Sequence, residues 1–273
     1  MPFVNGKTMK LTTFERVLRQ GNYAENTVTA YMYAVRDYYS RYSRIDKCNL
    51  LEYRELLIHS YSPKTANLRM QALNKYLENI GKNELKIKFI KVQEESFLEN
   101  IISDEEYAYL KNRLQEEPDK KCYFAIRFMA GTGARISELL FLRVEHVRAG
   151  YFNVCSKGGK VRRLYIPAQL QKELLNWLDR DSGYVFLNKY GQRITARGLS
   201  SRLTYYARKY GMNEHVVHPH AFRHLYAKKF LERYQDIALL ADLLGHKNIS
   251  TTRIYLRKSS TEQWRLINQI VDW

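Results

Sequence analysis

The chain is poor in the residues that would cross-link it or carry it into a membrane. Its three cysteines, Cys48, Cys122 and Cys155, match no metal-ligand spacing. Such sparse cysteine use favours a reducing compartment, and no apolar run approaches the roughly 20 residues that span a bilayer. Residues 1–10 also lack the apolar core of a signal peptide. The sequence therefore predicts a cytoplasmic protein with no membrane partner.

Acidic side chains are also scarce. The 273 residues contain 28 Asp and Glu against 45 Lys and Arg, which gives a net charge of +17 and a pI near 9.7. The balance is +7 over residues 1–90, −6 over residues 91–119 and +16 over residues 120–273. Two basic blocks joined by an acidic segment are suited to gripping a polyanion from two sides, so we expect a nucleic-acid partner.

The sequence offers no obvious place for a cofactor. No acidic cluster has the form of a Mg²⁺ site, and no glycine-rich loop is suited to the phosphates of a nucleotide. We therefore predict no metal, no cofactor and no bound nucleotide. Any phosphoryl chemistry in this chain would have to use cationic side chains where other enzymes use a metal ion.

The spacing of apolar residues divides the chain into two predicted domains. Residues 1–85 contain several segments with helical spacing, and residues 86–100 have no sustained period and turn acidic. Ser103, Asp104, Glu105 and Glu106 then have the form of a capping box with acids in its first turn. We therefore predict a helical domain over 1–85, a linker over 86–100 and a second domain over 101–273.

One stretch of the second domain has the pattern of β structure. Residues 145–167 form the predicted β region, and within it residues 151–155 and 161–166 alternate or branch like strands around a turn at 156–160. The turn places Lys157 and Lys160 at a hairpin tip, where a lysine is usually a solvated charge. The predicted fold is mainly α with a small antiparallel β-sheet.

A group of phosphate-binding and proton-handling residues lies near the carboxyl end. His220, Arg223 and His224 occupy i, i+3 and i+4 of a helix that begins at residues 218–219, so they share one face. His246 follows a glycine suited to ending a second helix, and Tyr255 lies on a third short helix. Arginine binds phosphate, histidine exchanges protons near neutrality, and tyrosine supplies a nucleophilic hydroxyl. This set suits phosphoryl transfer through a covalent intermediate.

A second arginine lies earlier in the chain. Residues 131–133, Gly-Thr-Gly, are predicted to interrupt a strongly apolar helix, and helical spacing then resumes with Arg135 and Glu138 at i and i+3. An arginine in an apolar helix is costly to bury unless it is paired, and Glu138 is placed to hold it.

Taken in order, these elements resemble the tyrosine recombinases, or phage integrase family. The resemblance includes R-I-S-E-L-L at 135–140, the lysine-tipped hairpin, H-A-F-R-H at 220–224, L-G-H at 244–246 and the final I-Y. Residues 24–31 and 65–77 are similar to the signature helices of the family's core-binding domain. The resemblance implies a helical core-binding domain and a mixed α/β catalytic domain with a C-terminal tail helix, closest to the simple, Xer-like members.

The resemblance also implies roles for the charged residues. Arg135 and Arg223 resemble the pair that clamps the scissile phosphate, and Glu138 matches the acidic position that orients the first arginine. Lys157 resembles the lysine that protonates the leaving 5′ oxygen. The turn reads S-K-G-G-K where the family more often has G-K-G-x-K, so Lys160 is a minor rival.

The proton-handling and nucleophilic roles fall near the carboxyl end. By resemblance His220 handles the tyrosine proton, His246 donates to a phosphate oxygen, and Tyr255 is the nucleophile. His224 matches a histidine that is more often structural, and we leave it outside the catalytic set.

The function implied is that of a site-specific DNA recombinase acting through a 3′-phosphotyrosine. Four protomers, identical or paired with a second recombinase, would exchange strands of double-stranded DNA through a Holliday junction. The tail carries Trp264, Leu266, Ile267 and Ile270 at helical spacing and could dock on a neighbouring protomer or pack on its own. Two alternatives stay open, a type IB topoisomerase-like enzyme that relaxes DNA and a non-catalytic DNA-binding regulator.

Overall fold

The chain folds into two compact units, Met1–Glu94 and Glu95–Trp273. The computed structural model describes residues 3–92, 101–155, 161–246, 248–256, 263–264 and 267–269, with side chains described from residue 11 onward. About two thirds of these described residues are helical, and they also contain a two-stranded antiparallel sheet, which confirms the predicted fold class. No helix of the described residues is long and apolar enough to cross a membrane.

The first unit is helical in all its described regular structure. Its four α-helices are α1 (Phe3–Gln20), α2 (Glu25–Arg41), α3 (Lys47–Ser60) and α4 (Pro63–Asn79), followed by a 3-10 turn at Asn83–Leu85. Apolar side chains at helical spacing bury one face of each helix, and Tyr38, Leu57 and Leu73 are fully buried where these faces meet. The chain therefore builds an independent core before the second unit begins.

Ile87 and Ile90 pack against this first core, although the sequence assigned them to the linker. The side-chain amide of Asn74 donates to the carbonyl of Ile87 and accepts from its N–H, at 2.9 and 2.8 Å. Asn67, seven residues earlier on α4, makes the same two bonds to Ile90, both at 2.9 Å. Ile87 is buried in the apolar core of the first unit. The segment after α4 is thus held along this helix by the side-chain amides of two asparagines. Each amide donates to and accepts from one residue of the segment, as the backbone of a neighbouring strand would.

The second unit is larger and contains the sheet. Its described elements are α5 (Asp104–Glu116), α6 (Lys121–Thr132), α7 (Ile136–Leu139), α8 (Val144–Ala149), β1 (Tyr151–Cys155), β2 (Val161–Tyr165), α9 (Ala168–Trp177), α10 (Ala196–Lys209), α11 (Pro219–Tyr234), α12 (Ile237–Leu244), α13 (Ser250–Arg253) and a 3-10 turn at Ile254–Leu256. The apolar α6 lies at the centre of the core, and α11 packs along it.

The start of the second unit follows the predicted capping chemistry. The Ser103 hydroxyl accepts from the N–H of Glu106 at 3.1 Å, and the Glu106 carboxylate accepts from the N–H of Ser103 at 2.8 Å. This reciprocal pair satisfies two N–H groups that the first turn of α5 leaves without helical partners.

The predicted β region begins too early. Residues 145–149 belong to α8, whose first turn is capped by the ring of His146 accepting from the N–H of Arg143 at 3.2 Å. Gly150 ends this helix in the left-handed conformation, with φ of 76°. The apolar residues Val144 and Val147 are three apart, which is helical spacing, so the strand prediction was wrong for this segment.

The two predicted strands form and pair antiparallel, with side chains that alternate between buried and exposed faces. Phe152 pairs with Leu164, and both side chains are buried, whereas Val161 and Tyr165 are exposed. Arg162 occupies a core-facing position of β2, two residues before Leu164. The side chain of Arg162 therefore lies in the interior because alternate residues of β2 face the core.

Candidate active site

Arg135 stands at the N-terminus of α7, directly after the turn that ends α6. Gly133 makes this turn with φ of 66°, and a Cβ there would lie 2.6 Å from Cδ1 of Tyr226. Both constraints require glycine. The predicted interruption at residues 131–133 is therefore confined to Gly133, because Gly131 and Thr132 remain helical and the Thr132 hydroxyl donates to the carbonyl of Phe128.

A single carboxylate binds two arginines at this turn. Glu138 accepts from Nη1 of Arg135 at 2.8 Å and from the Arg135 N–H at 2.6 Å. Its Oε2 also accepts from Nη2 of Arg162 at 2.6 Å. The side chains of Glu138 and Arg162 are 7% and 4% exposed, whereas that of Arg135 is 32% exposed. The Arg135 guanidinium is therefore oriented by a buried partner while part of it stays accessible.

Arg223 lies on α11 and is held by backbone carbonyls from two other segments. Nη1 donates to the carbonyl of Gly133, and Nη2 donates to the carbonyl of Leu244 at 2.7 Å. The residue is 3% exposed. Burial, followed by the positive charge of Arg135, lowers the pKa of Arg223 to about 10, so it remains charged at neutral pH.

His246 follows the C-terminal end of α12 and joins Arg223. Its Nε2 lies 3.0 Å from Nη2 of Arg223, and its Nδ1 lies 2.8 Å from Oγ1 of Thr252. Because a guanidinium only donates, Nε2 accepts and the ring proton sits on Nδ1. Burial, followed by the charges of Arg223 and Arg135, lowers the pKa of His246 to about 4. The imidazole is therefore neutral at pH 7.

Tyr255 lies on the 3-10 turn that follows α13 and is half-buried between two histidine rings. Its ring is nearly parallel to that of His246, with centroids 6.1 Å apart and an angle of 14°. The ring of His224 meets it edge-on at 4.9 Å. His246 also contacts the guanidinium of Arg223, so the phenol ring and the buried guanidinium lie on either side of one imidazole.

His220 stands one helical turn before Arg223 on α11 and is exposed to solvent. Desolvation, followed by the charges of Arg223 and Arg135, lowers its pKa. The charge of Arg135 therefore acts on His220, Arg223 and His246 together. Lys157 and Lys160, at the hairpin tip, lie outside the described residues.

Two residues of this cluster were not placed in it by the sequence. Arg162 shares Glu138, and Thr252 fixes the ring of His246. Arg162 lies two residues before Leu164 in its strand, and this spacing predicts a side chain on the same, core-facing side of the strand. The sequence placed His224 on the same helix face as His220 and left it outside the catalytic set; its ring contacts Tyr255. No pattern in the sequence pointed to Thr252.

The net charge of the cluster is suited to an anion. Two guanidiniums, of Arg135 and Arg162, share one carboxylate, and Arg223 adds a third that is held only by carbonyls, while His246 beside it is neutral at pH 7. No group of three or more His, Cys, Asp or Glu side chains within the described ranges could hold a metal ion. The geometry can bind a phosphate between charged donors and present a phenol to it.

Comparison with known sequences gives tyrosine recombinases among the relatives of this chain. The sequence model of the phage integrase family matches residues 98–262. The tyrosine recombinase XerA of Pyrococcus furiosus is 30% identical over 279 aligned positions, which cover 96% of this chain and 96% of that protein. The tyrosine recombinase XerC of Escherichia coli O157:H7 is 39% identical over 138 positions, covering 48% of this chain and 46% of that protein.

Solved structures share the fold at low sequence identity. The XerH site-specific recombinase bound to palindromic difH substrate, in a post-cleavage complex, is 21% identical with a TM-score of 0.70, covering 96% of this chain and 84% of that one. A lambda integrase dimer bound to a COC′ core site is 16% identical with a TM-score of 0.72, covering 91% and 76%.

Proposed function

This chain belongs to the phage integrase family of tyrosine recombinases, and from that premise we propose that it is a site-specific DNA recombinase that cleaves and rejoins DNA through a 3′-phosphotyrosine on Tyr255. The observation that carries the proposal is the junction of three segments at one point. The ring of Tyr255 lies against His246, and Nε2 of His246 is 3.0 Å from the buried guanidinium of Arg223. The similar structures of XerH bound to difH substrate and of lambda integrase bound to a core site support duplex DNA as the substrate.

The arginines bind and polarise the scissile phosphate in this proposal. A phosphodiester anion repels a nucleophile, so fixed cations must neutralise the charge that grows on its non-bridging oxygens. Arg223 is fixed by two carbonyls and Arg135 by Glu138, so neither guanidinium needs to reorganise when DNA binds. Preorganised donors of this kind contribute on the order of 10²-fold or more to rate.

The covalent step exchanges one phosphoester bond for another. The Tyr255 oxygen attacks phosphorus, the bond to the 5′ oxygen breaks, and a free 5′-hydroxyl leaves with a proton. His220, exposed and with a lowered pKa, is neutral near pH 7 and accepts the phenol proton. Lys157 protonates the leaving oxygen, a role that rests on the family resemblance. The reverse reaction, with a new 5′-hydroxyl, rejoins the strand.

His246 must change its hydrogen bonding to donate to phosphate. In the free protein its Nε2 accepts from Arg223 and carries no proton. A bound phosphate places negative charge beside the ring and raises its pKa, so as the substrate arrives the hydrogen bond from Arg223 breaks and the imidazole takes up a proton from water at Nε2. Thr252 keeps the ring in place through Nδ1 in both states.

A nicked DNA substrate tests the proposal directly. Footprinting on genomic DNA that flanks the coding region identifies the bound site, and a nick beside the cleavage position in that duplex lets the short 5′-hydroxyl fragment diffuse away. Wild-type protein should form a covalent adduct that survives denaturing electrophoresis. Tyr255→Phe should form none and should bind the same duplex with unchanged affinity, since binding rests on many phosphate contacts. Adduct formation by Tyr255→Phe would contradict the assignment of the nucleophile.

The two alternative functions predict different products. A type IB topoisomerase-like enzyme would relax supercoiled plasmid without recombining two sites, and a regulator would bind without forming an adduct. Both are disfavoured by relatives named as tyrosine recombinases. A plasmid with two sites, analysed for relaxation and for recombinant circles in the same reaction, separates the three outcomes.

We further propose that four protomers, identical or paired with a second recombinase, assemble on two DNA sites in the cytoplasm. The reaction needs two duplexes and four strand cleavages, which one active site per protomer supplies in a tetramer. In the tail, Trp264 and Ile267 are exposed, at 66% and 58%, and are available to a neighbouring protomer. Leu266 and Ile270 lie outside the described residues. Light scattering of the protein with and without two-site DNA would measure the assembly.

A further inference from the structure

Arg162 is a buried arginine that no step of the proposed reaction uses. Its side chain is 4% exposed, and Nη2 donates to Oε2 of Glu138 at 2.6 Å. Nη1 donates to the carbonyl of Leu243, in the last turn of α12. A guanidinium at this depth is costly without such partners. The partners belong to two different parts of the active site, α7 and α12.

The end of α12 is held by two arginines in succession. The carbonyl of Leu243 accepts from Arg162, and the next carbonyl, that of Leu244, accepts from Arg223. Cations are favoured at a helix C-terminus, where unpaired carbonyls concentrate negative charge. Gly245 then turns the chain with φ of 64°, and a Cβ there would approach Nε of Arg162 to 2.8 Å. The Arg162 side chain is therefore packed against the turn that delivers His246.

Arg162 also determines the net charge of the group that it forms with Arg135 and Glu138. Arg135 and Glu138 alone form a neutral pair, which would leave little net attraction for a phosphate. Arg162 shares the same carboxylate, so the three groups together carry one positive charge. The charge of Arg162 also acts on Arg223 and His246.

We propose that Arg162 is a positioning residue for DNA cleavage, which ties Glu138, and through it Arg135, to the end of α12 that carries His246. The inference rests on the proposed function, because it describes how the two halves of the phosphate clamp keep their relative position. Arg162 does not touch the phosphate in this account. It acts through Arg135 and through the α12 turn.

The test is the single-turnover rate of adduct formation on the nicked duplex at saturating protein. We expect Arg162→Met to lower this rate by about 10- to 100-fold, the cost typical of a small misplacement of catalytic groups. Arg163→Met is the matched control, because it removes the same charge from the neighbouring, exposed position of β2. It should stay within about twofold of wild type, and both variants should bind the duplex within about threefold of wild type.

Three further measurements separate positioning from a loss of folding. Arg162→Lys keeps the charge but cannot donate to Glu138 and Leu243 together, so the rate should fall at least about fivefold, in a protein that still unfolds in one cooperative tryptophan-fluorescence transition above the assay temperature. In an Arg135→Ala background, Arg162→Lys and Arg162→Met should each lower the rate by a smaller factor than they do with Arg135 present, since one of the two routes through which Arg162 acts is gone and only the α12 turn remains. A methylphosphonate at the scissile position, which lacks the anionic charge, should likewise reduce the defect.

The outcomes are distinct. If wild-type protein forms no adduct, the proposed function fails. If wild type forms the adduct and Arg162→Lys matches it, the inference fails. An Arg162 defect of equal size in the Arg135→Ala background and on the methylphosphonate would also overturn it, because that pattern indicates a general structural defect. If Arg162→Met does not fold, Arg162→Lys decides.

Discussion

Each of the two units contains a carboxylate that holds an arginine, and the two sites differ in what surrounds the arginine. In the first unit, Asp37 accepts from Arg69 at 2.9 Å and from the hydroxyl of Tyr53 at 2.6 Å. The Arg69 guanidinium is stacked over the ring of Tyr61 at 4.0 Å, with Tyr33 at 5.0 Å. The side chain is 12% exposed and is enclosed by its own unit.

In the second unit, the corresponding carboxylate, Glu138, leaves its arginine open. Arg135 has no ring stacked over it among the described residues, and its side chain is 32% exposed. A second, buried arginine shares its carboxylate, and the charge of Arg135 acts on His220, Arg223 and His246. The comparison teaches that an arginine–carboxylate pair is not by itself a mark of function. The accessible guanidinium and the groups gathered next to it distinguish an anion site from a structural ion pair.

The two arginine sites should differ most in what happens when the arginine is removed, because one loss should affect cleavage and the other stability. Arg135→Ala should lower single-turnover cleavage by about 100-fold or more, because one preorganised donor to the transition state is lost. Its effect on stability should be small, since Glu138 keeps Arg162 as a partner. Arg69→Ala should destabilise the first unit by about 2 kcal/mol or more, because Asp37 loses a mostly buried partner, and should leave the cleavage rate at saturating DNA within about threefold.

The tryptophans allow the two effects to be assigned to their units. All three, Trp177, Trp264 and Trp273, belong to the second unit, so their fluorescence follows its unfolding, whereas far-UV circular dichroism follows both units. In urea, Arg69→Ala should shift the dichroism transition and spare the fluorescence transition. A shift of the fluorescence transition by Arg69→Ala, or an unchanged cleavage rate for Arg135→Ala, would break the comparison.

A smaller difference should appear at two glycines with nearly the same backbone conformation. Gly81 has φ of 73°, and among the described residues nothing would lie within 4 Å of an added Cβ. Gly81→Ala should therefore lower the free energy of unfolding by only about 1 kcal/mol, the cost of placing an alanine in the left-handed conformation. Gly133→Ala adds overlap with Tyr226 and Leu244, so we expect about 3 kcal/mol in total, measured from the fluorescence transition.

Gly133→Ala should also affect catalysis, because the Gly133 carbonyl accepts from Arg223. The cleavage rate should fall in folded protein at low temperature, while Gly81→Ala should cleave as wild type does. Equal stability losses for the two variants would mean that the turn at Gly133 relaxes to admit a methyl group, and that its tight packing against Tyr226 is not needed.

The smallest difference should be in sensitivity to mild acid. Burial, followed by neighbouring charges, lowers the pKa of both His224 and His246 to about 4, against about 6.5 in the unfolded chain. Between these values the unfolded state binds more protons, so stability is complete above pH 6.5 and falls as the pH decreases toward 4. The loss is at most about 1.4 kcal/mol per histidine per pH unit.

The first unit contains one histidine, His59, so this acid sensitivity should be confined to the second unit. Lowering the pH from 7.5 to 5.5 should therefore shift the urea midpoint of the second unit, which fluorescence follows. The midpoint of the first unit, which contributes the rest of the dichroism signal, should shift less. His246→Gln should reduce the shift of the second unit. If the variant keeps the full pH dependence, burial of the neutral His246 ring is not its source.

Local rules predicted much of the second unit, and long-range contacts account for what they missed. The capping box at Ser103, the glycine that ends α12 and the i, i+3 spacing of Arg135 and Glu138 are properties of a few neighbouring residues, and the structure contains each of them. The contact of Arg162 with Leu243 joins residues 81 positions apart. Spacing rules have no access to such a contact.

Two other misses have local causes. The helix α8 is short, so its two apolar residues gave a weak period, and the adjacent strand pattern was extended over it. The hydrogen bond of Thr252 to His246 depends on how α13 turns after residue 249. A hydroxyl residue in a run of Ser and Thr gives no sign of which member faces inward.

The asparagines of α4 have a practical consequence for anyone who wishes to study the first unit as a separate fragment. A cut after residue 85 would remove Ile87 from its apolar pocket and leave the amides of Asn67 and Asn74 without four hydrogen bonds. A cut after residue 92 keeps them all. The shorter fragment should melt at a lower temperature than the longer one, although both contain the same four helices.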